Sequence, residues 1–272
     1  MRLGIFAKTF AGADPLTVLR AAQGAGYAGV QYNMACSGLT AMPDEVADTV
    51  VSAINAAQTQ TGVRLEALSA TYNMAHPDAA VRADGLRRLA VLAPVARAIG
   101  APMLTLCTGT RDAADQWRHH PDNATPEAWR DMITSIEGAV AIAEAHGLTL
   151  GIEPEMANIV SSTATAKRLL DEVQSDCLRI VLDPANQFEE ATPDAQRGLV
   201  ETAVEVLGHR IAMAHAKDRR ADGSFATAGK GMVDFPHFIT ALRGIGFDGP
   251  LVTHGLAADE ATEVAGFLRG LL

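Results

Sequence analysis

Residues 148–183 read LTLGIEPEMANIVSSTATAKRLLDEVQSDCLRIVLD, and they hold one complete unit of the pattern that runs through the chain. A short apolar run, Leu148 to Glu153, is followed by a loop. An amphipathic stretch from Ser162 to Val173 then leads to a second apolar run, Leu178 to Asp183. The two short runs have strand length and composition, and the stretch between them has helical length and spacing. Strand, helix, strand in this order describes two parallel strands joined by a crossover helix.

Outward from this unit the same alternation continues to both ends. Strand-like runs cover Leu3 to Ala7, Gly29 to Asn33, Arg64 to Ala70, Met103 to Thr108, Ile211 to His215 and Pro250 to His254. Between them lie helical stretches at Pro15 to Gly24, Pro43 to Gln60, Asp78 to Ile99, Pro126 to His146, Pro193 to Leu207, Phe235 to Arg243 and Asp259 to Leu271. Asp14-Pro15, Thr125-Pro126 and Thr192-Pro193 punctuate helix starts, and Gly100 and Gly147 stand just past helix ends. No glycine- or serine-rich linker interrupts the series. Eight strand–helix units over 272 residues predict an α/β fold, a single (β/α)8 TIM barrel forming one domain over residues 1–272. A doubly wound open sheet is the alternative. It normally carries a glycine-rich turn after the first strand, whereas Ala7-Lys8-Thr9-Phe10-Ala11-Gly12 has no GxGxxG.

In a barrel the chemistry sits at the C-terminal strand ends. Four consecutive strands are apolar until they stop on a residue that can bind a metal: Glu153, Asp183, His215 and His254. They are 30, 32 and 39 residues apart, close to one βα unit each, so they fall side by side on one rim. A carboxylate at a buried mouth is costly unless paired or coordinated, and one divalent cation shared with imidazole removes that cost. Mixed carboxylate and imidazole ligation suits Mg²⁺ or Mn²⁺, with Zn²⁺ or Co²⁺ as further options, and lacks the thiolates of structural zinc.

Charge and composition narrow the partners. A net charge of −10, from 32 acidic and 22 basic residues, repels a polyphosphate backbone, so nucleic acid is not an expected partner. No apolar stretch reaches membrane-spanning length and no leader is read at the N-terminus, which predicts a cytoplasmic protein with no membrane partner. Cys36, Cys107 and Cys177 are scattered, form no CxxC pair and suit a reducing compartment.

Together these residues give the chain a resemblance to the xylose isomerase-like barrel superfamily of sugar isomerases, epimerases and family 2 AP endonucleases. The matching segments are Gly151-Ile152-Glu153-Pro154-Glu155, Leu182-Asp183-Pro184-Ala185-Asn186, His215-Ala216-Lys217-Asp218, the glycine turn Gly229-Lys230-Gly231, and Gly246 to Leu251. The resemblance implies that Glu153, Asp183 and His215 hold a metal. It also implies a glutamate at the end of the last strand, as ligand and base, where this chain has His254. One carboxylate of the pair that would work on opposite faces of a substrate is thus replaced by imidazole, which can serve as ligand or as acid–base group. The endonuclease branch resembles the chain less, because the additional histidines of a three-zinc site are missing.

Other loop residues are expected to bind substrate. Lys8 follows the first strand, and Lys217 stands two residues past His215, where it can steady a developing oxyanion. Asn73 and His76 lie in the polar loop Tyr72 to Pro77, and Asn186 lies three residues past Asp183. The sixteen-residue loop Thr108 to Asn123 carries Arg111, Trp117 and His120, and loops that long in compact domains are commonly functional.

The expected activity is that of a divalent-metal-dependent isomerase or epimerase of a sugar, inositol-like or other polyhydroxy carbonyl compound. Proton transfer would run through a metal-stabilised enediolate, with Glu153, Lys217 and His254 as catalytic groups. A dehydratase, a non-catalytic barrel that binds metal and a sugar-like ligand, and a DNA-repair endonuclease are the alternatives. The expected partner is a small sugar-like molecule, with a homodimer as the assembly to test.

Overall fold

The computed structural model describes residues 1–272. Eight parallel strands close into a barrel: β1 (Arg2–Phe6), β2 (Gly29–Tyr32), β3 (Arg64–Ser69), β4 (Met103–Leu106), β5 (Thr149–Ile152), β6 (Leu178–Leu182), β7 (Ile211–Ala216) and β10 (Pro250–Thr253). Each pairs with its neighbours in chain order, and β1 closes the ring on β10 with Leu3 opposite Leu251. The (β/α)8 expectation therefore holds. Two short antiparallel strands, β8 (Asp218–Arg219) and β9 (Phe225–Ala226), form a hairpin outside the barrel that the sequence pattern did not signal.

Helices α1 (Pro15–Gly24), α3 (Ala79–Ala98), α4 (Pro126–His146), α5 (Thr163–Val173), α6 (Pro193–Leu207), α7 (Phe235–Gly244) and α8 (Ala261–Leu271) fall close to where they were expected. Asp14, Asp78, Thr125, Ser162, Thr192 and Asp234 cap their helices by accepting a backbone N–H in the first turn, which stops each loop at a defined residue. Helix α2 (Asp48–Thr61) is the exception, starting five residues after the expected Pro43. Asp44 instead binds Arg87 and Arg88 of α3, and Arg88 also donates to the Met42 carbonyl, so the segment is held against its neighbour in non-helical form. No helix is long and apolar enough to cross a membrane. The three cysteines are free.

The main apolar core lies between barrel and helices. A second, small cluster fills the barrel itself: Ala67, Met103, Val181, Met213 and Val252. Gly151 belongs to this layer, because a Cβ there would lie 2.7 Å from Met103 Sδ and 2.8 Å from Val181 Cγ2. This plug is the floor on which the site stands.

Candidate metal centre and substrate cavity

A strand places every second side chain on the same face. Two residues beyond the plug residues Gly151, Val181, Met213 and Val252 come Glu153, Asp183, His215 and His254, so the period that packs the floor also points these four inward. Their donor atoms all lie within 4.8 Å of one another. Glu153 Oε1 is 3.1 Å from His215 Nδ1. Asp183 Oδ2 is 3.4 Å from Lys217 Nζ and 3.4 Å from His254 Nε2. The two imidazoles meet edge to face with centroids 4.6 Å apart.

The surroundings fit a cation at that point. Asp183 Oδ2, His215 Nδ1 and His254 Nε2 are buried and receive no directed hydrogen bond. Each such group costs roughly 1–3 kcal/mol if left so, and all three face the same small space. The outer contacts leave these atoms free. Asp183 Oδ1 accepts from the Ala185 amide at 2.9 Å, which turns Oδ2 inward. His215 Nε2 lies 2.9 Å from Gln31 Oε1, and the Gln31 amide is oriented by donating to Thr105 Oγ1 at 3.0 Å. With Nε2–H donating to Gln31, Nδ1 is the nitrogen turned toward Glu153. Burial works to lower the imidazole's pKa, but Glu153 outweighs it and raises it, and Nδ1 is the nitrogen that loses its proton to bind an ion. Asn186 Nδ2 donates to Glu153 Oε1 at 3.0 Å.

Charge in the cluster is strongly coupled. Burial pushes the carboxyls of Glu153 and Asp183 up, but nearby cations outweigh it and hold both below the ordinary range, chiefly His215 for Glu153 and Lys217 for Asp183. Burial likewise works against the Lys217 ammonium, yet Asp183 and Glu153 more than compensate and keep it protonated. Burial, with His215 adding, lowers His254. Burial followed by repulsion from Glu153 pushes Glu155 up to about 8.

A cavity of about 620 Å³ opens above the cluster. Of the loop residues expected to bind substrate, Lys8, Trp117, Asn186 and Lys217 line it. Asn73, His76, Arg111 and His120 do not. Asn73 is a loop brace, accepting from the Ala75 and Thr110 amides and donating to the Thr110 carbonyl. His76 closes a turn, with Nδ1 accepting from the Asp78 amide and Nε2 facing the Ala113 carbonyl. Arg111 is buried against Asp131 at 2.7 Å and the Ala75 carbonyl at 3.2 Å. His120 caps the short turn Pro121–Ala124 by accepting from the Asp122 amide.

Sequence reasoning missed Gln31, Glu189, Arg219 and Phe225, and ranked Glu155 behind His254 as the replacement for the second carboxylate; all five line the cavity. Gln31 had a signal, as a polar residue inside the apolar run Val30-Gln31-Tyr32, two places past Gly29. The others depend on how loops fold back. The loop that carries Arg219 and Phe225 is built around Asp218, which is fully buried and accepts from the amides of Arg219, Gly229, Gly231 and Val233. A Cβ on Gly231 would sit 2.4 Å from Asp218 Oδ1, so this glycine is required for close approach and not only for turning.

The chain is a closed parallel barrel whose C-terminal mouth gathers carboxylate and imidazole donors that could hold a metal ion. Residues 19–271 match the family model described as xylose isomerase-like TIM barrel, and the chain belongs to that family. No curated protein matches the chain. Among solved structures it is similar to 3-keto-D-glucoside 4-epimerase, YcjR, from E. coli, at 16% identity and TM-score 0.80 over 99% of each chain. It is also similar to D-allulose 3-epimerase from Methylomonas sp., at 18% identity and TM-score 0.77 over 100% of this chain and 98% of that one. D-psicose 3-epimerase from Clostridium cellulolyticum H10 is similar at 15% identity and TM-score 0.78, over 100% and 99%.

Proposed function

We propose that the protein is a divalent-metal-dependent isomerase or epimerase of a sugar, inositol-like or other polyhydroxy carbonyl compound, with Mg²⁺ or Mn²⁺ as the favoured ion. The observation that carries this reading is the convergence of Glu153, Asp183, His215 and His254, three of whose inward atoms are buried without a hydrogen-bond partner. The structures with the same fold include proteins named as epimerases of a 3-keto-glucoside and of D-allulose, which supports a sugar substrate. When bound, the ion supplies Lewis-acid polarisation of a carbonyl and a neighbouring hydroxyl.

The chain's own groups do the rest. Glu153 Oε1 is occupied by Asn186 and faces His215, so Oε2 is the atom that accepts a proton from the carbon beside the carbonyl. Lys217, kept cationic by Asp183, stands where negative charge develops on oxygen and holds it. His254 either completes the donor set or serves as the second acid–base group.

Dehydration is the second reading, favoured by one feature. Epimerisation needs acid–base groups on both faces of the substrate, and the end of β10 offers His254, facing Asp183, in place of a second carboxylate. Removing a proton and expelling a β-hydroxyl needs only one base.

Metal-loaded protein incubated in deuterated water with a panel of ketoses, inososes and hydroxy acids, followed by NMR, tests these readings. Deuterium is expected at the carbon next to the carbonyl, and Glu153→Gln should abolish its incorporation. Unchanged exchange in that variant removes Glu153 as the base. An unsaturated or dehydrated product identifies a dehydratase, and binding without exchange identifies a ligand-binding barrel.

A further inference from the structure

The cavity is larger than a single sugar requires. Even at the roughly 30 Å³ that a free water claims, the roughly twelve heavy atoms of a hexose occupy about 360 Å³, an upper bound because bonded atoms pack closer. The cavity measures about 620 Å³. Its remaining space is walled differently from its floor. The metal cluster, Asn186 and Lys217 make the inner end polar, whereas Trp117, Met156 and Phe225 bring apolar surface to the same cavity. Trp117 is 52% exposed and Phe225 46% exposed, which leaves two large aromatic surfaces open to solvent at an opening that would otherwise favour polar side chains.

The backbone beneath Trp117 and the ring of Phe225 are held in place. The Trp117 amide donates to Asp115 Oδ1, and Asp112 Oδ1 accepts from the Ala114 and Asp115 amides to form the turn before it. Buried Asn158, from the loop after β5, ties this segment down by accepting from the Gly109 amide and donating to the Gln116 carbonyl. Phe225 sits on the hairpin anchored by Asp218, with Lys217 Nζ at 4.0 Å and the Arg219 guanidinium at 4.2 Å from its ring centre. Fixed aromatic platforms bind rings with little loss of conformational freedom.

The same contacts argue against a phosphorylated substrate. Lys217 sits against Asp183 and is assigned above to the reacting oxygen on the metal floor, and Arg219 donates to the carbonyls of Ala185 and Gly223. Glu189 also lines the cavity, leaving Lys8 as its uncommitted cation.

Resting on the sugar reading above, we infer that the substrate is an uncharged keto-sugar bearing a second ring, with the sugar on the metal floor and the added ring against Trp117 and Phe225. The second ring can be an aryl group or another sugar, since both present a flat apolar face.

Calorimetric titration of Mn²⁺-loaded protein with glucose, galactose and mannose, each as the methyl glycoside, the phenyl glycoside and a glucosyl disaccharide, tests this without turnover. At least one ring-bearing form is expected to bind about tenfold more tightly than its methyl counterpart, the ratio that one stacked ring supplies. Which form does so identifies the source of the ring. The Trp117→Ala/Phe225→Ala double variant should bring that ratio to within about twofold, and Trp117→Phe, which keeps a ring, should retain it. Equal affinity for methyl and ring-bearing forms, survival of the preference in the double variant, or absence of binding by every glycoside overturns the inference. Tighter binding of a hexose 6-phosphate than of every glycoside also overturns it. The deuterium-exchange assay decides separately whether the sugar reading stands.

Discussion

Gln31 controls which nitrogen of His215 is available. Its amide is clamped by Thr105, so its oxygen, and not its nitrogen, meets His215 Nε2. Partners of this kind fix the tautomer and orientation of a ligating histidine, and their loss commonly costs 10–100-fold in metal affinity. Gln31→Leu should therefore weaken Mn²⁺ binding by roughly that factor in a calorimetric titration. Thr105→Val, which frees the amide without removing it, should fall between the variant and the unaltered protein. A Gln31→Leu protein that binds Mn²⁺ as tightly as the parent would show that the imidazole is oriented by other contacts. At this scale the sequence was most legible where strand period dictates direction: Glu153, Asp183, His215 and His254 were all readable from position alone. Arg111 was not, because what decides its role is Asp131, twenty residues along on α4.

Among the elements, helix starts were readable because a capping side chain and a proline are local features. Asp234 at the start of α7 shows what a cap contributes. It accepts from the His237 amide at 3.0 Å and pairs with Arg197 of α6 at 2.8 Å. Burial pushes its carboxyl up, but these two partners outweigh it and hold it below the usual range. The sign follows directly: a carboxyl with a lowered folded-state pKa stabilises the fold fully above its unfolded value of about 3.9 and loses that contribution as pH falls through the lower folded value. Asp234→Ala should cost about 1 kcal/mol at neutral pH, and the difference from the parent should shrink on acidification below about pH 4 in urea melts. A constant difference down to pH 2 would assign the effect to packing instead. The β8–β9 hairpin was illegible for the opposite reason. Asp218 gathers amides up to fifteen residues downstream, and neither period nor propensity records such long closures.

For the whole molecule, closing the barrel brings β1 and β10 together and sets the four donors around one space. Ion binding and folding are consequently linked, because an ion that binds the folded rim and not the unfolded chain stabilises by mass action. At one hundred times its dissociation constant, Mn²⁺ should add about 2.7 kcal/mol. With roughly 2–4 °C per kcal/mol for a chain of this size, the melting temperature should rise by about 5–10 °C over that in excess EDTA. Asp183→Asn should remove most of the rise, since Asp183 is fully buried and central to the cluster. An identical melting temperature with and without the ion would mean that the four residues do not bind it in the folded state.

From the sequence alone come the eight βα units, their closure into a barrel, and the four candidate donors on its rim. These follow from periods of two and 3.6 and from the common length of the units, which are properties of neighbouring residues. Only the tertiary structure decided that Gln31 stands behind His215, 184 residues away in the chain, that Arg111 and His120 turn out of the cavity, and that Trp117 and Phe225 face into it. Those outcomes depend on how loops of different units pack against one another over the barrel mouth, and no local spacing encodes a contact between segments that only the closed ring brings together.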